Sequence, residues 1–520
     1  MHAQQVVRIY EDQEHVDTWA VTDSATLHTR AHARVRAFWK LGYLFAAVDS
    51  VSREAVYLHK GTLVSSEVNG KQNAWERAYL QAEKELKVAV NTGYPFARIT
   101  WDSLRMESDQ LAFSYRMTKG PLLLFDSLVL LSPVKTRPSY LMRMLDIERG
   151  TPYSEHSFQS IVQRIQRISF LSLNRPPDVS FQSSSVWTYL DITENAQGSF
   201  EGVLGILPSQ ATDRGVLFTG NLDLKLVNLF RTGKQLDFKW AQFAEQSQRL
   251  DVAYYHPFIA GTSFHLNTQL RLFKQDTSFL NREIVLAGSF FVTPRLEMSV
   301  GYEQANASIL TRNVDQIIMR NWLDFQQDWY TLAIKRTDGD RGKAKPFLNH
   351  SADIAIGARR VGRNLQLPQE AYDTVQMQVT NFRISGWLET QQKVTANTFL
   401  YVDANAAHLA NAQDFGNQLY RVGGLQTLRG FNEQFFFTAS YVITQAEWRL
   451  FFEEESYVFA FYDQGFLHTA RWELPMGVGG GFSLLTNSGL FSFALAVGKS
   501  RDIPFELANM KIHFGYLSRF

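Results

Sequence analysis

From about residue 198 to its end, this chain alternates apolar and polar residues with a period of two. Leu222, Leu224 and Leu226 alternate with Asn221, Asp223 and Lys225, and Leu236, Phe238 and Trp240 with Gln235, Asp237 and Lys239. Leu266, Leu270 and Leu272 are set against Asn267, Gln269 and Arg271; Leu296, Met298, Val300 and Tyr302 against Arg295, Glu297, Ser299 and Glu303. Successive residues of a strand point to opposite faces, so each segment reads as a strand with one apolar face and one charged or amide-bearing face. A soluble sandwich alternates too, but its apolar face meets only a small core. At roughly 20 residues per strand and turn, this run predicts about sixteen strands, within the usual range of membrane barrels. Closure removes the edges that so large a sheet would expose.

With 520 residues, several domains are expected. A net charge of +1 makes no electrostatic case for nucleic acid, and with no cysteine there is neither a disulfide nor a thiolate metal site. The mean hydropathy of −0.20 looks soluble. That is misleading for a barrel, in which only alternate residues face lipid and no run of ~18–20 apolar residues is needed. The N-terminus, MHAQQVVRIY, lacks an apolar signal region. Export therefore implies a leader that has been removed or is not included.

The first third is a repeat. GYLFAAV at Gly42–Val48 and GYPFARI at Gly93–Ile99 share the pattern G-Y-x-F-A-x-[VI]. Each copy follows an amphipathic helix. Leu27, Ala31, Val35 and Phe38 mark one face of the first, and Trp75, Tyr79, Ala82, Leu86 and Val90 one face of the second. The glycine stops the helix each time. Two short strands follow, and then a Lys-Gly turn, Lys60-Gly61 or Lys119-Gly120. A third unit opens on FDSLVLLS, passes through SYLMRMLDI and a second helix striped by Phe158, Ile161, Ile165 and Ile168, and ends in strands. The boundaries expected are 1–61, 62–120 and 121–196 for three small α+β modules, and 197–520 for the barrel.

Within the barrel region, GGLQTLRGF at 423–431 is followed by TQAEWRLFF and FYDQGF, both reading as strands. Arg429 sits in a loop, while Glu447 and Asp463 lie on the next two strands. A guanidinium is tolerated inside a protein only when acceptors neutralise it. Glu447 shares parity with Gln445 and Arg449, so its carboxylate is expected to face the lumen; Asp463 shares parity with Phe459 and Phe461. Gly430 permits close backbone approach, Phe431 is placed to wedge the tip against the wall, and Gly423 and Gly424 let the loop turn sharply inward. The inward loop is expected at about 404–440.

These elements, in this order, resemble the outer-membrane assembly-factor superfamily of BamA, TamA and the two-partner secretion transporters. Its largest loop carries an [VIL]-R-G-[FY] tip folded back into the barrel, and its next two strands carry E-x-R and F-x-D-x-G. The β-α-α-β-β order of the N-terminal units, clearest from GPLLLF to DVSF, resembles the POTRA module of the same superfamily. Three modules resemble the TamA layout more than the five usual in BamA. Two-partner transporters have two modules plus a plug helix, and no such helix is read here. The resemblance implies a factor that inserts or translocates proteins at the Gram-negative outer membrane, with its modules in the periplasm. It implies unfolded outer-membrane or secreted clients bound by β-augmentation, a lipid bilayer, a place for a periplasmic partner protein, and no cofactor or metal. The first and last strands then form the seam, near Gly198–Leu207 and Lys511–Phe520, weakened by Gly202, Gly205 and Gly515. HFGYLSRF ends on Phe520, as the outer-membrane assembly signal does, although Ser518 stands where a second aromatic is usual.

The alternatives are a two-partner-type secretion transporter and, in another class, a passive channel or structural barrel. No H-E-x-x-H, G-x-S-x-G or P-loop occurs, so no catalytic residue is assigned and the chain is not read as an enzyme. His256-Pro257 reads as a turn, and Glu453, Glu454 and Glu455 as a solvated strand end.

Overall fold

A computed structural model of the chain describes residues 5–519, apart from 22–23, 42, 44, 53, 62–73, 108–109, 196–197, 209–215, 245, 340–341, 411–412, 426, 433, 470 and 487–488. The chain divides into two compact units. The first comprises Met1–Val129, Asp146–Gln159 and Asp178–Tyr189, and the second comprises Leu130–Leu145, Ser160–Pro177 and Leu190–Phe520.

In the first unit, strands Gln5–Glu11 and Glu14–Val21 form a hairpin, helix Ser24–Lys40 follows, and strands Ala47–Val51 and Ala55–His59 form a second hairpin. Gln5–Glu11 pairs in parallel with Ala55–His59, which makes one four-stranded sheet. The expected helix face is its core: Leu27, Ala31, Val35 and Phe38 are buried against Val7, Ile9, Val56 and Leu58. This module has one described helix where the β-α-α-β-β pattern has two. QVVRIYE and EHVDTWAV alternate, and so they pair as a hairpin instead.

The 51-residue repeat has a physical basis. The Lys60 ammonium lies 4.5 Å from the Tyr43 ring, and Lys119 lies 5.3 Å from the equivalent Tyr94. Gly61 at φ +72 and Gly120 at φ +74 pack on Phe45 and Phe96. Lys-Gly thus closes back on G-Y-x-F in both copies, with a cation over an aromatic face each time. Gly42 and the side chain of Trp75 lie outside the described residues; Gly93, at φ +100, ends helix Ala74–Val90 as expected. A separate three-stranded sheet places Ser185–Leu190 between Leu124–Leu130 and Asp178–Phe181. Asp178–Phe181 is therefore bonded along one side only among the described residues.

The second unit is a closed barrel. Its long strands are Ser199–Pro208, Val216–Leu229, Lys234–Ala244, Ser247–His256, His265–Gln275, Phe279–Thr293, Leu296–Ile309, Asp324–Arg336, Phe347–Gly362, Gln378–Lys393, Thr398–Ala410, Ser440–Phe451, Tyr457–His468, Met476–Thr486, Gly489–Lys499 and Lys511–Arg519, with the two-residue Trp472–Glu473 beside the thirteenth. Sixteen antiparallel strands is the expected number. The inward loop starts later than expected, because 404–410 is still strand: Ala404 pairs with Thr444 and Ala407 with Tyr441. The alanines of this stretch carry too little side chain to show alternation.

The barrel inverts a soluble core. Leu286, Val300, Tyr330, Ile354, Ile384 and Trp448 are exposed on its outer face, while Glu303, Gln327, Asn349, Arg359, Asn381 and Gln391 are buried within. An apolar belt of this kind on a water-soluble protein would aggregate, whereas lipid covers it without cost. No helix of the described residues is long and apolar enough to cross a membrane, which says nothing of strands.

Helix Pro138–Leu145 belongs to this unit. Its Tyr140 ring fills the place a side chain would need at Gly233, where a Cβ would come within 2.2 Å. Beside it, the Arg137 N–H donates to the Arg231 carbonyl, and Asn228 donates to Thr136. Arg167 lies 3.3 Å from the Phe291 ring and donates to the Pro294 carbonyl. Thr136, Arg137, Tyr140 and Arg167 are thus fixed to two of the short turns of the barrel, at 228–234 and 293–296.

Candidate functional site

The inward loop, residues 411–439, is held at two stations. Its first limb is tied to the wall by Asn417, which donates to the Leu323 carbonyl, and by Arg359, which donates to the Gln413 carbonyl and to Gln418. Asn281 donates to the Asn417 carbonyl. The limb then forms a short ladder, Tyr420–Val422 against Phe436–Thr438. Gly423 at φ +128 and Gly424 at φ +98 turn the chain into the tip, a conformation that residues with a Cβ rarely adopt.

At the tip the structure brings together Arg429, Glu447 and Asp463. Arg429 Nη1 lies 2.6 Å from Glu447 Oε1, Nη2 lies 2.6 Å from Asp463 Oδ1, and Nε lies 2.8 Å from Asp463 Oδ2. The Arg429 backbone N–H also donates to Asp463, at 3.0 Å. The guanidinium lies 3.6 Å from the Phe461 ring, so one of the two inward aromatics is its floor. All three charged groups are buried, Asp463 completely. A buried ion pair persists only with good geometry and satisfied donors, and the fork supplies both.

Phe431 is buried and packs on Phe436, Leu428 and Val422 of its own loop and on Ile443 and Leu467 of the wall. Gly430, at φ +89, lies against the backbone of Val497 and Gly498, where a Cβ would meet the Gly498 nitrogen at 2.5 Å.

Three parts of the seat were not picked out from sequence. Arg449 binds the second oxygen of Glu447 at 2.7 Å, donates to Gln391, and stacks 3.6 Å from the Tyr401 ring. Its parity with Glu447 was the available signal. Gly477 and Gly498 are the other two: a Cβ at 477 would meet the Arg429 carbonyl oxygen at 2.1 Å, and one at 498 would meet the Gly430 oxygen at 2.6 Å. The run MGVGGG, with interior strand glycines, was a readable sign of close backbone approach. Gln445 holds the loop as well, donating to the Thr427 carbonyl.

The seam residues lie apart from this cluster. Among the described residues the first and last strands pair only at Ser199 with Arg519 and Phe200 with Ser518, whereas the first and second strands pair along all ten residues, 199–208. Gly202 and Gly205 pair with Leu222 and Thr219 of the second strand, and Gly515 pairs with Ser492. Phe520 lies outside the described residues. Among the described residues no cluster of His, Asp and Glu could hold a metal ion. The tip cluster contains no nucleophile beside a base; its chemistry is positional.

No protein-family profile matches the chain, and no curated protein matches it by sequence. Solved structures do. CdiB from Acinetobacter baumannii superposes with a TM-score of 0.57 at 11% identity, covering 99% of this chain and 90% of that one. CdiB from Escherichia coli gives a TM-score of 0.54 at 11% identity, with the same coverage. The resemblance read from the sequence thus extends to the fold: a large antiparallel barrel behind small α+β modules.

Proposed function

We propose that this chain belongs to the outer-membrane assembly-factor superfamily and works as a protein insertion or translocation factor of the Gram-negative outer membrane, with its modules in the periplasm. The observation that carries this reading is the seam. Most neighbouring strands of the barrel share long ladders, but among the described residues the first and last share two residue pairs. A ladder so short separates at low cost and exposes strand edges to which a client strand can pair. The one-sided edge at Asp178–Phe181 offers an extended client a first place to add. Arg429 and its carboxylates keep the inner loop seated on the wall while the seam moves.

The similarity to CdiB structures supports the two-partner secretion alternative equally well at the level of fold. A passive channel makes no use of a thin seam or of the modules. The test is a reconstituted insertion assay comparing full-length protein with a variant lacking residues 1–120 and one lacking residues 1–196. We expect poor activity from the first and none from the second, with both barrels folded. Equal activity of all three overturns the proposal.

A further inference from the structure

Between the inner loop and the wall of the barrel lies a cavity of about 460 Å³ whose lining includes Arg249, Arg271, Arg421, Glu283, Asn281 and Tyr420. Its charges do not balance. Arg271 is paired with Glu283 and shares Asp251 with Arg249, which lies 3.7 Å from that carboxylate. Arg383, also on the lining, is taken up by Glu303. Arg421 has no carboxylate partner among the described residues. Its guanidinium lies 3.8 Å from the Phe273 ring and 5.2 Å from those of Phe279 and Phe437. Aromatic faces soften a desolvated cation but do not neutralise it.

Two side-chain polar atoms on the same lining are buried with no hydrogen-bond partner, the Asn281 amide oxygen Oδ1 and the Tyr420 hydroxyl. Asn281 lies on the strand that also carries Phe279, one of the rings beneath Arg421, and its amide nitrogen is already engaged with Asn417. Its free oxygen needs a donor. The space therefore asks for a ligand with acceptor oxygens for guanidinium groups and one proton to give.

We propose that this cavity binds hydrogen phosphate, or a phosphate-type oxyanion that keeps a proton. The anion lies between Arg421 of the inner loop and Arg249 of the wall and donates to Asn281. Guanidinium forks match such oxyanions far better than they match chloride. The bound ion ties the limb at Tyr420–Val422 to the fourth strand, so it adds a removable clasp to the loop's fixed anchors at Asn417 and Arg429.

The experiment is calorimetric titration of the full-length protein in detergent with inorganic phosphate, and with sulfate and chloride at matched ionic strength and neutral pH. We expect saturable binding of phosphate, at least tenfold weaker binding of sulfate, which carries no proton to donate, and none of chloride. Arg421→Gln and Arg249→Gln should each weaken phosphate at least tenfold; Arg249 is half exposed to the lumen, so that variant keeps the fold. Phosphate heats no different from chloride, or unchanged binding in both variants, overturns the site. Equal affinity for sulfate overturns the assignment of a protonated oxyanion.

Discussion

Gly477 lies directly beneath Arg429: a Cβ at residue 477 would fall 2.1 Å from the Arg429 carbonyl oxygen. The ion pairs of the tip therefore depend on a glycine in a strand that contributes no charge. Gly477→Ala should lift the tip from the wall although every charged partner is retained. Overpacking of this kind costs about 1–3 kcal/mol. The barrel should still assemble, with its compact form intact on heat-modifiable gels, while protease cleavage within 424–436 accelerates. An unchanged cleavage rate would show that the tip does not rest there.

Arg429→Ala should weigh unequally on the two carboxylates. Glu447 keeps Arg449, whereas among the described residues the Asp463 carboxylate is hydrogen-bonded by Arg429 alone. Stranding a buried charge costs about 3–5 kcal/mol. Adding Asp463→Asn should therefore recover much of the loss, and adding Glu447→Gln should not, because it leaves Arg449 without its carboxylate. Urea denaturation of the folded barrel, read as two double-mutant cycles, measures both couplings. Equal couplings would contradict the asymmetry.

Arg429→Lys should rescue only in part. An ammonium is a point charge, and it cannot hold Glu447 and both oxygens of Asp463 in one plane as the guanidinium does. In the insertion assay its activity should fall between that of wild type and that of Arg429→Ala.

Cysteines at 200 and 518, which face each other across the seam, should form a disulfide under mild oxidation. The oxidised protein should keep its fold and lose client insertion, and a reductant should restore it. Full activity in the oxidised state would exclude opening at this seam.

Glu194 gives a pH dependence outside the barrel strands. Burial acts to raise its pKa, but the Thr136 hydroxyl and the N–H groups of Lys135 and Thr136 outweigh it and hold the carboxyl below its usual 4.5. The folded value is the depressed one. The stability it contributes is thus present above pH 4.5 and lost as pH falls through the folded value. Amide exchange at residues 131–137 should speed up over that acid range in wild type. In Glu194→Gln it should show no such transition.

Parity is local, and that is why so much was legible in the chain itself. Alternation at Leu222–Leu226 or Leu296–Tyr302 needs no partner strand to assign its faces, so the barrel and its number of strands follow from sequence. The same parity turned Glu447 inward, and the pairing of one cation with two acids placed Arg429 between Glu447 and Asp463. The repeat G-Y-x-F with its Lys-Gly turn was equally plain, because both halves lie within one module. Other features depended on which strands become neighbours and at what register. Gly477 and Gly498 became a seat only when a loop from elsewhere in the chain was laid across them, and Arg449 found Tyr401 and Gln391 only after three strands had paired. The alanines of 404–410 show no alternation, so the pairing of 404–408 with 440–444 alone decided where the loop begins. The two-pair seam was settled in the same way. How far the last strand overlaps the first is fixed by closure of the whole barrel, a property that no local segment encodes.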